Sequence, residues 1–238
     1  MTNPKGWVAE LLGTFTLMFV GGGAIISTMS SEGPNLVVVA LGHGLGLSMA
    51  VYATGHISGA HINPAVTIAM FTRGRITPPD AVGYIISQLA GATLGALCLN
   101  MLYPEGAVQS AKLGATLGSL SFDSANVGAV LGIEIILTFF LVTTIFSVSV
   151  DERGPKNVYG FAIGLTVAFD ILCAGSLTGA SMNPARSFGP ALIGSMSGIE
   201  DIWSMHWVYW VAPIVGAVLA AWLYDLVLIG KRDSSSDS

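Results

Sequence analysis

The fold is decided by a ten-residue stretch that occurs twice, as SGAHINPAVT at 58–67 and as TGASMNPARS at 178–187. The copies lie 120 residues apart and share Gly-Ala and Asn-Pro-Ala at the same spacing. One Asn-Pro-Ala sequence alone is an ordinary loop turn. Two copies at matching positions indicate that the chain repeats one structural unit.

A second match supports the duplication. Glu10 and Thr14 correspond to Glu134 and Thr138 at an offset of 124 residues. The sequence therefore predicts a single domain over 1–238, built from halves of about 1–110 and 120–238.

Each copy contains the signal for a helix start. Asparagine is a favoured N-cap residue, and proline is favoured in the first helical turn because its missing N–H is not needed there. Asn63-Pro64 and Asn183-Pro184 therefore predict short helices over 64–71 and 184–193.

The surroundings of both copies are apolar enough for a membrane. Of the 238 residues, 53% are hydrophobic and only 10% are charged, against about 25% charged in typical soluble domains. A spanning helix needs about 20 mostly apolar residues. Six stretches meet this requirement: 7–26, 36–54, 81–102, 127–150, 158–173 and 206–229. Glycine pairs four residues apart predict close helix packing within them: Gly42/Gly46, Gly91/Gly95, Gly128/Gly132 and Gly160/Gly164.

Three spans per half place the two halves in the membrane in opposite orientations. The prediction is an all-α membrane protein with six transmembrane helices and two re-entrant half-helices, arranged as an inverted repeat. Functional sites of such repeats lie near the midplane, between the halves.

Inversion makes the two half-helices meet end to end with their N-termini at the centre. Each helix N-terminus carries roughly half a positive charge, which repels cations and hydronium. The Asn63 and Asn183 amides add N–H donors that orient a passing water and interrupt a chain of proton transfer. The arrangement predicts a narrow pore for small uncharged molecules.

The basic residues give the orientation. Seven fall on one side of the predicted topology and only Lys112 on the other; the seven are Lys5, Arg73, Arg75, Arg153, Lys156, Lys231 and Arg232. Cytoplasmic loops carry the excess of Lys and Arg, so both termini are predicted to be cytoplasmic in a plasma-membrane protein.

The sequence resembles the aquaporin (major intrinsic protein) family over nearly its whole length. The resemblance rests on 58–67 and 181–190, with Glu10 and Glu134 matching the family's paired helix glutamates. It implies six full helices, two half-helices carrying Asn63-Pro64-Ala65 and Asn183-Pro184-Ala185, one pore per subunit and a homotetramer.

The resemblance also implies an outer selectivity filter. Counting from the motifs, its four positions are His43, Ile171, Ala180 and Arg186. Arginine in a membrane is costly, which makes Arg186 a functional candidate by default. The combination of His43 with Ile171 is similar to that of the plant tonoplast branch, some members of which also conduct ammonia.

Other positions bear on the solute. Glycerol facilitators typically carry an aspartate and a basic residue where this chain has Ser187 and Ala191, and Tyr209-Trp210 matches the water-channel pattern. The favoured function is a channel for water, and a broader channel for glycerol, ammonia or dissolved gases is the alternative.

Buried acids and histidines are expected to brace loops. Glu10 and Glu134 are predicted to accept hydrogen bonds from the loops that hold the half-helices, although intramembrane acids also serve as proton relays. His61 is predicted to brace its loop, with lining of the pore as the alternative. Asp170 is about 100° around the helix from Ile171, and is expected to bond a loop or a neighbouring subunit.

Two other classes of function are weighed. An ion-coupled secondary transporter also uses inverted repeats and broken helices, but it requires titratable or ion-ligating groups beside its solute. An enzyme requires a nucleophile with a base, or a metal cluster. Neither set is present among the pore residues, so no enzymatic activity, metal, cofactor or nucleic-acid partner is expected; the partners are water, small neutral solutes and lipid.

Overall fold

The computed structural model describes residues 2–230. They form helices and connecting loops without a β-strand. The α-helices are α1 (Pro4–Thr28), α2 (Leu36–Ser58), α3 (Pro64–Thr72), α4 (Pro78–Leu102), α5 (Glu105–Ser110), α6 (Val127–Ile145), α7 (Tyr159–Thr178), α8 (Pro184–Met196) and α9 (Val208–Leu223). Wider π-helical turns extend α6 over Phe146–Val150 and α9 over Tyr224–Ile229.

Six of these helices are long and apolar enough to cross a membrane: α1, α2, α4, α6, α7 and α9. The predicted all-α fold with six spans is confirmed, and α3 and α8 are the two short helices that follow Asn63 and Asn183. The loop helix α5 was not predicted, because six residues carry too little periodicity to identify a helix.

Two predicted span ends are wrong by four or five residues. Helix α2 continues to Ser58 rather than residue 54, and α7 continues to Thr178 rather than Cys173. Both helices end where Gly59 and Gly179 adopt left-handed backbone, with φ of 84° and 88°. A left-handed glycine is a common helix terminator. Gly55 and Gly175, which follow the predicted ends, are instead helical.

The half-helices pack across the repeat. Within each half, the first span packs against the second and third spans, as α1 does on α2 and α4, and α6 on α7 and α9. The short helices instead lie on the third span of the opposite half, α3 on α9 and α8 on α4. The α2–α7 contact completes the seam between the halves.

Glycine permits the closest approach at that seam. A Cβ added at Gly44 would lie 2.6 Å from the carbonyl oxygen of Gly164, and one added at Gly164 would meet the carbonyl oxygen of Gly44. The prediction of close packing is wrong within the subunit for Gly128 and Gly132, because nothing lies within 4 Å of an added Cβ at either position. Their spacing resembles that of the packed pairs, but they face away from the bundle.

We expect Gly164→Ala to lower the free energy of unfolding by about 1–3 kcal/mol, because the new methyl group must push two backbones apart. The matched control Gly132→Ala adds the same methyl in open space and should be neutral or slightly stabilising, since alanine favours helix over glycine. Thermal unfolding of both variants in detergent measures the difference. Equal melting temperatures would contradict the close approach of α2 and α7.

Basic side chains gather at one end of the bundle. Asp225 accepts hydrogen bonds from Arg73 Nε at 2.8 Å and Arg75 Nη2 at 2.7 Å. In the loop after α6, the hydrogen bonds that Arg153 donates lower the pKa of the Asp151 carboxyl to about 2. Arg153 also donates to Leu228 O at 2.9 Å, so the loops after α3 and α6 are both joined to the end of α9. Lys231 and Arg232, which were counted in predicting the orientation, lie outside the described residues.

Candidate functional site

The two half-helices meet at their asparagines. The Oδ1 atom of Asn63 accepts a hydrogen bond from Ala65 N at 2.9 Å, and that of Asn183 accepts from Ala185 N at 3.0 Å. Each side chain thus caps its own helix, as the Asn-Pro sequences predicted. The capped N-termini point their partial positive charges at the junction.

The same asparagines join the two halves. Asn63 Nδ2 donates to Met182 O at 2.7 Å, and Asn183 Nδ2 donates to Ile62 O at 2.9 Å. An amide nitrogen has two hydrogens, so each asparagine uses one across the junction and retains one. The reciprocal pair fixes the position of both amides.

The backbone before each asparagine is strained. Ala60 and Ile62 have φ of 48° and 55°, and the repeat-equivalent Ala180 and Met182 have φ of 42° and 53°. Left-handed backbone in residues other than glycine costs about 1–3 kcal/mol each and persists only where the surroundings enforce it. The left-handed backbone at Ile62 and Met182 turns the carbonyl oxygen of each residue toward the asparagine of the other half.

Glu10 supplies that enforcement in the first half. The carboxylate is fully buried and accepts four hydrogen bonds. The donors are Ser58 Oγ at 2.6 Å, His61 N at 2.9 Å, Ile62 N at 2.5 Å and Gln88 Nε2 at 2.8 Å. The contacts join α1 and α4 to the strained loop and leave the carboxylate outside the pore lining.

Glu134 occupies the equivalent place in the second half. It accepts from Thr178 Oγ1 at 2.7 Å, Ser181 N at 3.0 Å and Met182 N at 2.9 Å. The loop that carries Ala180 is therefore held to α6 by a buried charge, and a hydrogen bond to a charged acceptor is stronger than a neutral one.

The four residues assigned to the filter lie together and are all at least 97% buried. Arg186 donates from Nε and Nη2 to His43 Nε2, at 3.2 and 3.0 Å. The other ring nitrogen of His43 lies 2.9 Å from Val39 O. These partners favour the tautomer that carries its proton on Nδ1, so both nitrogens of the imidazole are occupied.

One guanidinium nitrogen in the filter, Arg186 Nη1, is buried and has no hydrogen-bond partner in the described protein. Ile171 and Ala180 are apolar and offer no polar side-chain atom. The filter thus presents a fixed cation beside an apolar wall.

A narrow cavity of about 30 Å³ follows the seam between the halves. All four filter residues and both asparagines line it; its apolar wall includes Leu17, Leu47, Val51, Val66, Leu141, Ile145, Ile163 and Val167. Such a volume holds only a few water-sized molecules. Pro64, Ala65, Pro184 and Ala185 do not line the cavity, and are buried behind it.

His61 both braces its loop and lines the cavity, the two alternatives that the sequence left open. Its backbone N–H bonds to Glu10, and its Nδ1 forms a hydrogen bond with Thr67 Oγ1 at 3.1 Å. The ring packs edge-on against Tyr84 and also lines the cavity.

The sequence did not predict that two tyrosines and a glutamine hold the loops. Tyr84 donates to Ser58 O at 2.8 Å, and Tyr209 donates to Thr178 O at 2.6 Å. They are 125 residues apart, so a repeat alignment of the third spans would have paired them. Gln88 has no such counterpart, and nothing in the sequence marks it.

Comparison with known proteins gives consistent similarities. A sequence model of the family described as Major intrinsic protein matches residues 1–224. The probable aquaporin AqpM of Archaeoglobus fulgidus is 42% identical over 244 aligned residues, covering 94% of this chain and 97% of that protein. Aquaporin TIP1-2 of Zea mays is 39% identical, covering 96% of this chain and 87% of that protein. The X-ray structure of the aquaglyceroporin from Plasmodium falciparum superposes with a TM-score of 0.80 at 27% identity, covering 95% of this chain and 97% of that chain.

Proposed function

The chain belongs to the major intrinsic protein family, and from that premise we propose that it is a passive channel that conducts mainly water and excludes ions and protons. Members of the family are channels rather than enzymes, and six apolar spans make this chain a multi-pass membrane protein. The observation that carries the proposal is the pair of capped half-helix N-termini at Asn63 and Asn183, inside a cavity of about 30 Å³.

Exclusion of protons follows from the direction of the donors. A water at the junction accepts hydrogen bonds from the remaining amide N–H groups, and its own hydrogens then point away from the centre. A proton chain requires every water to donate in the same direction, so the chain is interrupted there. The two helix ends and Arg186 add positive potential that opposes cations.

We expect the purified protein in liposomes to speed osmotic shrinkage without carrying a proton current. Stopped-flow light scattering measures the first, and an internal pH dye under an imposed voltage measures the second. Val167→Trp should block flux, because Val167 lines the cavity and the larger side chain would fill it. The matched control Val211→Trp places the same ring on an exposed surface of α9 and should conduct normally. A proton current without water flux would refute the channel.

A broader channel for ammonia, glycerol or dissolved gases is the second candidate. The observation that favours it is the filter wall: both His43 nitrogens are engaged, and Ile171 and Ala180 contribute no polar side-chain atom. A wall of this kind holds water less firmly than a polar one. Parallel fluxes of water, glycerol and ammonia in the same liposomes decide between the candidates, and a glycerol or ammonia permeability that exceeds that of water would favour the second.

We also propose a homotetramer. Small residues of α1 and α2, among them Gly13 and Ala50, line an apolar groove on the outer surface. On α6 and α7, Phe140 and Phe169 contact each other and are 44% and 49% exposed. The aromatic ridge of one copy is suited to the groove of the next, which is a head-to-tail contact that can close into a ring. The mass of the detergent-solubilised particle tests the proposal.

The positions of the basic residues suggest how the protein is oriented in the membrane. Arg73, Arg75 and Arg153 lie at the end of the bundle where α9 finishes. By the positive-inside rule this end faces the cytoplasm, and we propose that both termini are cytoplasmic in the plasma membrane. Protease accessibility of a C-terminal tag in right-side-out cells tests it.

A further inference from the structure

The two halves brace their loops with matching parts. Glu10 and Glu134 correspond, and so do Tyr84 and Tyr209, each of which donates to the last residue of a repeat-equivalent helix. The glycines of the third spans agree with the same offset of 125, since a Cβ added at Gly91 or Gly216 would meet the equivalent carbonyl oxygens of Leu11 and Ile135. Each contact of one half therefore has an expected position in the other.

One brace of the first half is missing in the second. Gln88 Nε2 donates to Glu10 Oε2 at 2.8 Å and to Thr67 Oγ1 at 2.9 Å. The offset of 125 places Pro213 at the equivalent position, and proline has no side-chain donor. Among the residues that the structure describes, Glu134 Oε2 consequently accepts a hydrogen bond only from Met182 N.

Asp170 lies on α7 between Thr166, which bonds Thr144 of α6, and Thr178, which bonds Glu134 of α6. Its side chain is completely buried, and neither carboxyl oxygen has a hydrogen-bond partner in the described protein. Thr166, one turn earlier on the same face of α7, bonds Thr144 of α6, so Asp170 faces α6 as well. The prediction that Asp170 bonds a loop or a neighbouring subunit is wrong: among the described residues no loop donor reaches it, and its complete burial within the subunit keeps it from a neighbouring one.

Two negative charges in this apolar interior would be costly, because the carboxylates repel each other and that of Asp170 has no donor among the described residues. Among the described residues no Lys or Arg forms an ion pair with either carboxyl group, and the hydrogen bonds of the Arg186 side chain go to His43. A bound proton removes the second negative charge. A single water connects polar groups that are too far apart for a direct hydrogen bond.

We propose that Asp170 is a positioning residue that, together with Glu134, holds one proton and one bridging water. This group gives Glu134 Oε2 the hydrogen bond that Gln88 gives Glu10. It thereby steadies the strained loop that carries Ala180 and Met182, and with it the outer filter. The inference rests on the proposed channel function only in its flux measurement.

Two substitutions separate this role from simple space filling. Asp170→Asn supplies an N–H donor on a side chain of the same size, as Gln88 does in the first half. We expect it to keep water permeability within about twofold of wild type and to match or exceed its melting temperature. Asp170→Leu removes the donor, and we expect water permeability per folded channel to fall about fivefold, the change that one lost hydrogen bond produces. Gln88→Leu is the reference, since it removes the corresponding bond to Glu10.

Infrared difference spectra provide a readout that a purely structural role would not move. The wild type should show the carbonyl band of a buried protonated carboxylic acid at neutral pH, and both Asp170 variants should lack it. If Asp170→Leu does not fold, the band and the behaviour of Asp170→Asn still decide the matter.

The proposal is overturned if Asp170→Leu retains wild-type flux and stability, if Asp170→Asn loses both as Asp170→Leu does, or if the wild type lacks the band. A wild-type protein without water flux would instead refute the proposed function. The band and the melting temperatures would still report on Asp170 in that case.

Discussion

Replacing Arg186 with valine is expected to raise proton and cation leak about tenfold or more, a barrier loss of ~1.4 kcal/mol, while water continues to pass. Arg186 is a fixed cation that is 3% exposed, with two of its nitrogens bonded to His43 and Nη1 free. Valine removes the charge and the free donor together. Buried charge is poorly screened, so its removal changes the potential in the filter strongly.

The measurement is the proton and potassium conductance of liposomes that contain equal amounts of folded channel. Lys5→Val is the matched control, because it removes a positive charge from an exposed position on α1 by the same substitution. It should leave the conductance unchanged. A fully tight Arg186→Val channel would show that Asn63 and Asn183 exclude ions without help from the filter.

Glu134→Ala should destabilise the fold by about 3–6 kcal/mol. Three donors lose their acceptor, and each unsatisfied buried donor costs roughly 1–3 kcal/mol, part of which a water recovers. The loop residues Ala180 and Met182 would also lose the contact that enforces their left-handed backbone. Thermal unfolding in detergent measures the loss.

Glu134→Gln separates the two functions that the sequence allows for this carboxyl. Glutamine keeps one acceptor oxygen, so a bracing role predicts an intermediate melting temperature with water flux retained. A proton relay would depend on the ionisable group itself, and glutamine would then abolish transport in a stable protein. Glu10→Ala should repeat the loss in the first half, where four donors are affected.

Much of the fold was predictable because membranes restrict it. Uninterrupted apolar stretches predict the six spans, and the Asn-Pro sequences predict half-helices that begin directly after Asn63 and Asn183. The span ends at Ser58 and Thr178 were not predictable from glycine content. Gly55 and Gly175 are helical, whereas Gly59 and Gly179 are left-handed, and composition does not distinguish the two uses.

The site was predictable in its residues and less so in its contacts. Repeat matching brought Asn63 and Asn183 together, yet their hydrogen bonds to Met182 O and Ile62 O depend on four strained φ angles. Sequence patterns carry no signal for strain in alanine or isoleucine. The docking of Arg186 on His43 depends likewise on the distance between α2 and α8, which only the packed structure sets.

Each half-helix packs on a span of the other half, and this has a consequence for biogenesis. Helix α3 leaves the ribosome early, but its packing partner α9 is the last span to be made. The first half therefore enters the membrane with its polar loop bonded to α1 and α4, but with α3 lacking the packing surface that α9 provides. Completion of the pore is coupled to insertion of the final span. An ancestral single repeat would have met the same need only by pairing with an inverted copy of itself.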